Sequence, residues 1–340
     1  MRSYDVFNGD ADGICALHQL RLAEPRAATL VTGVKRDIAL LERVFVEDDV
    51  RLTVLDISLD SNVGALRRLL DDDARVAYFD HHSAAQAFAH PNLELHWDEA
   101  PDVCTSMLVD RHLGGRYRVW AVAAAFGDNL SQSAQRLAAT LSMSESKTAA
   151  LSELGELLNY NAYGESIADL HYPPAVLYEQ LHAYAEPLDF IAASPVYRRL
   201  RAGYAEDCAH MADLAAEHEE NCGAVFVLPD APWARRISGV FANQLVARRE
   251  SAGRSFAVLT AKGDGSYVVS VRAGQPQERA ADLFCRGFAT GGGRKAAGGI
   301  NVLPATHLEV FIGSFFDYFA GGGAPWVSGR IGHAEKAVAS

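Results

Sequence analysis

The chain has 340 residues, 49% hydrophobic and 22% charged, an ordinary mix for a folded protein and too long for one ordinary core. Its net charge of −12 argues against a protein that handles long nucleic acid, which needs a basic surface, but leaves room for a small anion in a local basic pocket. Five scattered cysteines without Cys-x-x-Cys spacing argue against disulfides or a zinc knuckle, and no apolar run reaches the roughly 18 residues of a membrane span.

The chain opens directly into an apolar strand at 3–7, so no signal peptide is expected and a cytoplasmic setting follows. Residues 2–130 alternate short apolar runs with amphipathic stretches. Strands are predicted at 3–7, 28–33, 52–56 and 75–79, and helices at 13–23, 38–44, 61–70 and 104–112. Such alternation predicts an α/β domain with a doubly wound parallel sheet. Residues 131–215 read as helical, with helices over 142–160 and, after Pro173-Pro174, over 175–191; a long linking helix is predicted at 198–220. A smaller α/β domain begins near Cys222, with strands at 223–228, 255–260, 267–272 and 300–303 and helices at 237–248, 278–288 and 307–319. The domains are set at 1–195, 196–221 for a helical linker, 222–320, and 321–340 for a loose tail.

Chemistry collects where strands are expected to end. Asp10 and Asp12 follow the first run, in Asn8-Gly9-Asp10-Ala11-Asp12-Gly13. Asp56 closes Leu52-Thr53-Val54-Leu55, and Asp80-His81-His82 closes Val76-Ala77-Tyr78-Phe79. Asp128 closes the apolar run from Val119 to Phe126, and all these stations are expected along one carboxyl edge of the sheet. Four carboxylates in one place repel unless cations sit among them. Oxygen donors with one imidazole suit Mn²⁺, with Mg²⁺ second, and paired ions would activate a water and steady a leaving oxygen.

These motifs, Asp10-Ala11-Asp12-Gly13, Leu55-Asp56 and Asp80-His81-His82, resemble in order and spacing those of the DHH phosphoesterases, in particular the DHH–DHHA1 branch. That branch includes RecJ-like exonucleases, oligoribonucleases and cyclic-dinucleotide phosphodiesterases. The resemblance runs from about residue 2 to about 318. It implies two Mn²⁺ sites, with Asp10 on the first, Asp12 on the second, Asp56 bridging, and His81 and Asp128 completing the second. It implies that His82 faces the scissile phosphate and that Asp80 orients an imidazole. Asn8 stands where many relatives carry His, so the first site is expected to be loose or completed by water.

The stretch Gly291-Gly292-Gly293-Arg294 resembles the Gly-Gly-Gly-His motif of the DHHA1 domain, with Arg294 in place of His. Its amides are expected to form an anion nest, against the plainer alternative of a flexible linker. Ser270-Val271-Arg272 resembles the strand-end pattern in which an Arg reaches the ligand, and alternation puts Ser270 and Arg272 on one face. Lys35-Arg36 is a candidate phosphate-neutralising pair, with a polar loop as the alternative. Thr105-Ser106 is either a helix cap or a phosphate contact. His96, His112 and the other histidines outside the motif show no ligand spacing, and acidic runs such as Glu47-Asp48-Asp49 read as solvated faces.

The expected function is metal-dependent hydrolysis of 3′,3′-cyclic dinucleotides in a cleft between the domains. The alternatives are a nuclease for short linear RNA, a pyrophosphatase, and a nucleotide sensor without catalysis. The expected partner is a small nucleotide, not long nucleic acid or a membrane, with a homodimer as a candidate assembly.

Overall fold

The computed structural model describes residues 2–45, 49–85 and 88–323. Glu47 and Asp48 of the acidic run, and residues 324–340 of the expected tail, lie outside the described residues. The chain divides into two compact units, Met1–Ala205 and Glu206–Ser340.

The first unit opens with β1 (Arg2–Phe7), α1 (Ala11–Ala23), β2 (Thr29–Val31), β3 (Val50–Leu55), α2 (Leu59–Asp71), β4 (Arg75–Asp80) and β5 (Leu93–Trp97). The five strands are all parallel, in the order β2-β1-β3-β4-β5. Alternation along each strand feeds two cores, one on each face of the sheet. Phe7, Leu55 and Phe79 pack with α1, while Val6, Val54 and Tyr78 pack with α2. Helices therefore cover both faces, as the alternating pattern predicts. The chain reverses its direction of travel between β1 and β3, and a sheet of this order binds ligands beyond the strand ends at that point.

The rest of the unit is helical: α3 (Thr105–His112), α4 (Arg118–Gly127), α5 (Ser131–Thr140), α6 (Glu145–Asn161), α7 (Pro174–His182), α8 (Pro187–Ala193) and the start of α9 (Pro195–Met211), which continues into the second unit. Helices α4 and α6 cross closely, because a Cβ on Gly155 would sit 2.1 Å from Ala123 O. That contact brings the C-terminal ends of both helices together.

In the second unit β6 (His218–Glu220), β7 (Gly223–Leu228), α10 (Pro232–Ala247), β8 (Ser255–Ala261), β9 (Ser266–Arg272), α11 (Ala281–Cys285), β10 (Gly291–Arg294), β11 (Ala297–Pro304) and α12 (Leu308–Phe319) follow. Their strands form a mixed sheet in the order β10-β11-β9-β8-β7-β6. No helix among the described residues is long and apolar enough to cross a membrane.

Several sequence expectations are corrected. The helix expected at 38–44 is only a 3-10 turn over Leu40–Arg43, because Asn62 takes the backbone groups a helix would use, accepting from Leu41 N (3.1 Å) and donating to Ile38 O (2.7 Å). The run before Asp128 is the helix α4, not a strand; its alanines suit a helix buried all round, and an apolar run alone does not distinguish the two. Pro187 splits the helix expected at 175–191, since it has no N–H to continue α7 and starts α8 instead. The linker expected to be helical through residue 221 stops at Met211, and His218–Glu220 pairs antiparallel with β7. The helix expected at 278–288 is confined to α11. Strand β5 has no counterpart among the expected strands.

Candidate metal centre

Three helix termini aim the carboxylates. Asp10 is the N-cap of α1, and its Oδ1 accepts from the amides of Asp12 (3.0 Å) and Gly13 (3.1 Å). Only glycine fits at Gly13, where a Cβ would lie 2.1 Å from Asn8 O. Asp12 reaches the N-terminus of α3, and its two oxygens accept from the amides of Thr105 and Ser106, both at 2.7 Å. Asp128 is the C-cap of α4, fixed there by Asn129 in the left-handed region (φ 61°) and by the bonds Asn129 N→Phe126 O (3.1 Å) and Leu130 N→Ala125 O (2.8 Å). A helix C-terminus repels an acid, so this placement calls for a nearby cation.

Asp56 follows β3 with φ 61°, a conformation uncommon outside glycine and worth about 1–3 kcal/mol of strain. Its amide still bonds Phe79 O (3.0 Å), and its Oδ1 accepts from Thr105 Oγ1 (3.1 Å). The backbone twist at Asp56 thus turns its carboxylate toward α3.

Both motif histidines are held by their Nδ1. His81 Nδ1–H donates to the carbonyl of Val103 (2.9 Å), which leaves Nε2 with a free lone pair. That Nε2 lies 3.5 Å from Asp56 Oδ1, 3.8 Å from Asp128 Oδ2 and 4.0 Å from Asp12 Oδ2. His82 Nδ1 donates to Asp80 Oδ1 (2.7 Å), while the fully buried Asp80 also accepts from Leu59 N through Oδ2 (3.2 Å). Asp80 therefore holds the His82 ring through Nδ1. Asp56, His81 and His82 each offer a ligand atom within 4.8 Å of the others.

Lys35 departs from expectation. Its ammonium is bound to Asp10 Oδ2 and to Asn159 Oδ1 (2.9 Å), 3.9 Å from Asp128 Oδ1, rather than standing free for a phosphate. Asn8 Nδ2 donates to Lys35 O (3.3 Å), and Asn8 Oδ1 is buried without a partner. Arg36 is largely desolvated, which holds its guanidinium below its ordinary value.

The carboxyl groups record the crowding. Burial, reinforced by Asp12, Asp10 and Asp128, pushes Asp56 well above its ordinary value, against the opposing pull of Lys35. Burial also raises Asp128, again against Lys35. Burial pulls Asp10 upward too, but the Lys35 ammonium outweighs it and leaves this carboxyl low. For His82, burial lowers the imidazole and the Asp80 carboxylate more than restores it, so the net shift is upward.

The donor set fits a divalent cation at His81 Nε2, Asp12, Asp56 and Asp128. Ligands about 2.1 Å from an octahedral ion lie about 3 Å apart, and His81 Nε2 lies 3.5–4.0 Å from one oxygen of each of the three carboxylates. Hard oxygens with one imidazole suit Mn²⁺ or Mg²⁺. The second position, beside Asp10, holds Lys35 instead.

Three further residues contribute to this centre, of which the sequence pointed to Thr105 and Ser106 in another role and not to Asn159. Thr105 and Ser106 hold Asp12 and Asp56 and do not cap α3 with their side chains. Asn159 reaches Lys35 only because α4 and α6 cross at Gly155, a contact with no local signal. Outside the centre, Glu94, His96 and His112 come within 4.8 Å of one another, so two histidines without ligand spacing in the sequence are in fact neighbours.

In the second unit the glycine-rich stretch is neither a nest nor a linker but the hairpin β10–β11. A Cβ on Gly291 would lie 1.7 Å from Cys285 O, and one on Gly298 would lie 2.7 Å from Ala281 O, so these glycines admit α11. The opposite face is different. Arg294 pairs with Ala297, and Ala297 with Arg272, which puts both arginines in one row. Gly292, Gly299 and Ser270 form the next row, and Gly292 has open space above it. Ser270 is buried, and Arg272 Nε donates to Asn243 Oδ1 (2.7 Å) on α10. Gly293 (φ 135°) faces away, with Ala297 O 2.5 Å from where its Cβ would be.

No protein-family model and no curated protein matches the sequence. Solved structures do match. An exonuclease RecJ bound to manganese aligns over 95% of this chain and 91% of its own, with 18% identity and a TM-score of 0.58. The chain has the RecJ fold. A pGpG-specific phosphodiesterase, PggH of Vibrio cholerae, aligns over 95% of this chain and all of its own (100%), with 12% identity and a TM-score of 0.56. RecJ of Thermus thermophilus in complex with Mn²⁺ aligns over 96% of this chain and 53% of its own, with 17% identity and a TM-score of 0.51. The resemblance read from the motifs is met at the level of the fold, over nearly the whole chain.

Proposed function

We propose that this chain is a metal-dependent phosphodiesterase for dinucleotides, with 3′,3′-cyclic dinucleotides as its first candidate substrates. The observation that carries the reading is His81, whose free Nε2 lies within 4.0 Å of Asp12, Asp56 and Asp128. A divalent ion held by these four side chains would polarise a phosphoryl oxygen and make water a better nucleophile at neutral pH. Thr105 and the α3 amides keep the carboxylates in place, so little reorganisation accompanies the reaction. His82 is partly exposed and anchored through Nδ1, and in its doubly protonated form, which the Asp80 carboxylate favours, its Nε2–H would donate to a non-bridging phosphate oxygen.

The arginine row of the second unit supports a nucleotide substrate. Arg272 and Arg294 offer planar donors for phosphate, and the bare glycine row beside them admits a flat base. A net charge of −12 weighs against long nucleic acid as the substrate. The linear dinucleotide is the second reading, favoured by the fold shared with the pGpG-specific enzyme.

Hydrolysis of bis(p-nitrophenyl) phosphate by metal-stripped protein tests the reading. Turnover is expected only after Mn²⁺ or Mg²⁺ is restored. Full turnover by the stripped protein would contradict it.

A further inference from the structure

The carboxylate cluster has two halves, and they are furnished differently. One half has His81 Nε2 facing Asp12, Asp56 and Asp128 with its lone pair unused. The other half is built from Asp10, the remaining oxygen of Asp128, Asn8 and Asn159. In it the Lys35 ammonium bonds Asp10 Oδ2 and Asn159 Oδ1, with Asp128 Oδ1 3.9 Å away. We propose that Lys35 supplies the second positive charge of this centre, so that the chain binds one divalent ion rather than two. This deepens the proposed function and rests on it.

Three further observations support the assignment. Lys35 is positioned from both ends, since its amide donates to Ala162 O (2.9 Å) and its carbonyl accepts from Asn8 Nδ2 (3.3 Å). Asn159 sits one turn beyond Gly155, so the helix crossing that places Asp128 also delivers the amide oxygen that holds Nζ. Asn8, whose Oδ1 is buried without a partner, offers at most a neutral amide oxygen, where an imidazole would favour Mn²⁺ more strongly.

One ion plus the ammonium leaves the cluster at −1, and two ions plus the ammonium would leave it at +1. Asp10, Asp12, Asp56 and Asp128 carry −4, and one divalent ion with Lys35 brings +3. A second ion beside Lys35 would bring the total to +5 and set two cations against each other in a buried site.

Counting bound Mn²⁺ tests this. Metal-stripped full-length protein is titrated with Mn²⁺, and bound metal is measured by calorimetry and by electron paramagnetic resonance. Wild type should bind one ion per chain and give the signal of an isolated Mn²⁺. Lys35→Ala, and Asn8→His combined with Lys35→Ala, should bind two and show coupling between the ions. Lys35→Arg should keep the count at one. Circular dichroism checks that each variant is folded. Two coupled ions in wild type, or a count that stays at one in both Lys35→Ala proteins, would overturn the proposal. The count is independent of turnover. Wild type that binds one ion but hydrolyses no phosphodiester would overturn the proposed function instead, and wild type that binds none would overturn both.

Discussion

The carboxylate cluster of the first unit and the arginine row of the second are both built at strand ends, but by different physics. In the first unit each polar group is buried or largely covered and held by something rigid. A helix N-terminus holds Asp12, a helix C-cap holds Asp128, a left-handed turn aims Asp56, and a carbonyl fixes the tautomer of His81. In the second unit glycines clear a face and two long arginines stand on it, with Arg272 steadied by Asn243. Groups that are costly to bury are fixed before the substrate arrives and suit chemistry. Groups on an open face suit recognition. The two regions should therefore fail differently when mutated.

The largest effect should come from Asp56→Ala. It removes a carboxylate from the cation site while Thr105 keeps its other surroundings. Losing a contribution of ~4 kcal/mol to the transition state corresponds to about a thousandfold in kcat, and the loss should appear on every substrate. Asp80→Asn should cost roughly ten- to a hundredfold, because Asp80 only orients His82 and the start of α2. It should also lower the His82 pKa in the metal-free protein, since the Asp80 carboxylate no longer offsets burial. Proton NMR titration of the imidazole reads this directly. An unchanged His82 titration would mean that Asp80 does not set its proton affinity.

These assignments show how much the sequence makes legible. Asp10, Asp12, Asp56 and the Asp80-His81-His82 run stand out because each sits at the end of a short apolar strand, and the parallel sheet brings those ends together. Val119 to Phe126 misleads, because an alanine-rich run buried on all sides has no periodicity that separates helix from strand. The full setting of Lys35 is illegible, since Asn159, its second acceptor beside Asp10, lies more than a hundred residues away. The glycine-rich stretch stands out by its composition, but only the register shows that some of its glycines admit α11 and others clear a face. Its proposed role in binding remains attached to Arg272 and Arg294.

Arg272→Ala and Arg294→Ala sharpen the comparison. Loss of a charged donor to phosphate costs about 1.5–3 kcal/mol, or roughly ten- to a hundredfold in KM for a dinucleotide. Bis(p-nitrophenyl) phosphate should be hydrolysed at nearly the wild-type rate. Equal losses on both substrates would show that the arginines support the fold or the metal centre.

The smallest effect concerns pH. Asp56 and Asp128 are raised above 3.8 in the folded protein, so the metal-free fold binds more protons than the unfolded chain and loses stability as pH rises through their pKa values. A bound cation removes that penalty. The increase in Tm on adding Mn²⁺ should therefore be larger at pH 8 than at pH 5.5. An increase that shrinks with rising pH would place the ion away from these carboxylates.

The most direct test is a substrate panel read as initial rates. Metal-stripped protein, with and without Mn²⁺, is offered cyclic dinucleotides, linear dinucleotides, short RNA, a long single strand and pyrophosphate. The account predicts that dinucleotides are hydrolysed fastest, and only with the metal. Hydrolysis without metal, or faster turnover of pyrophosphate or the long strand, would contradict it.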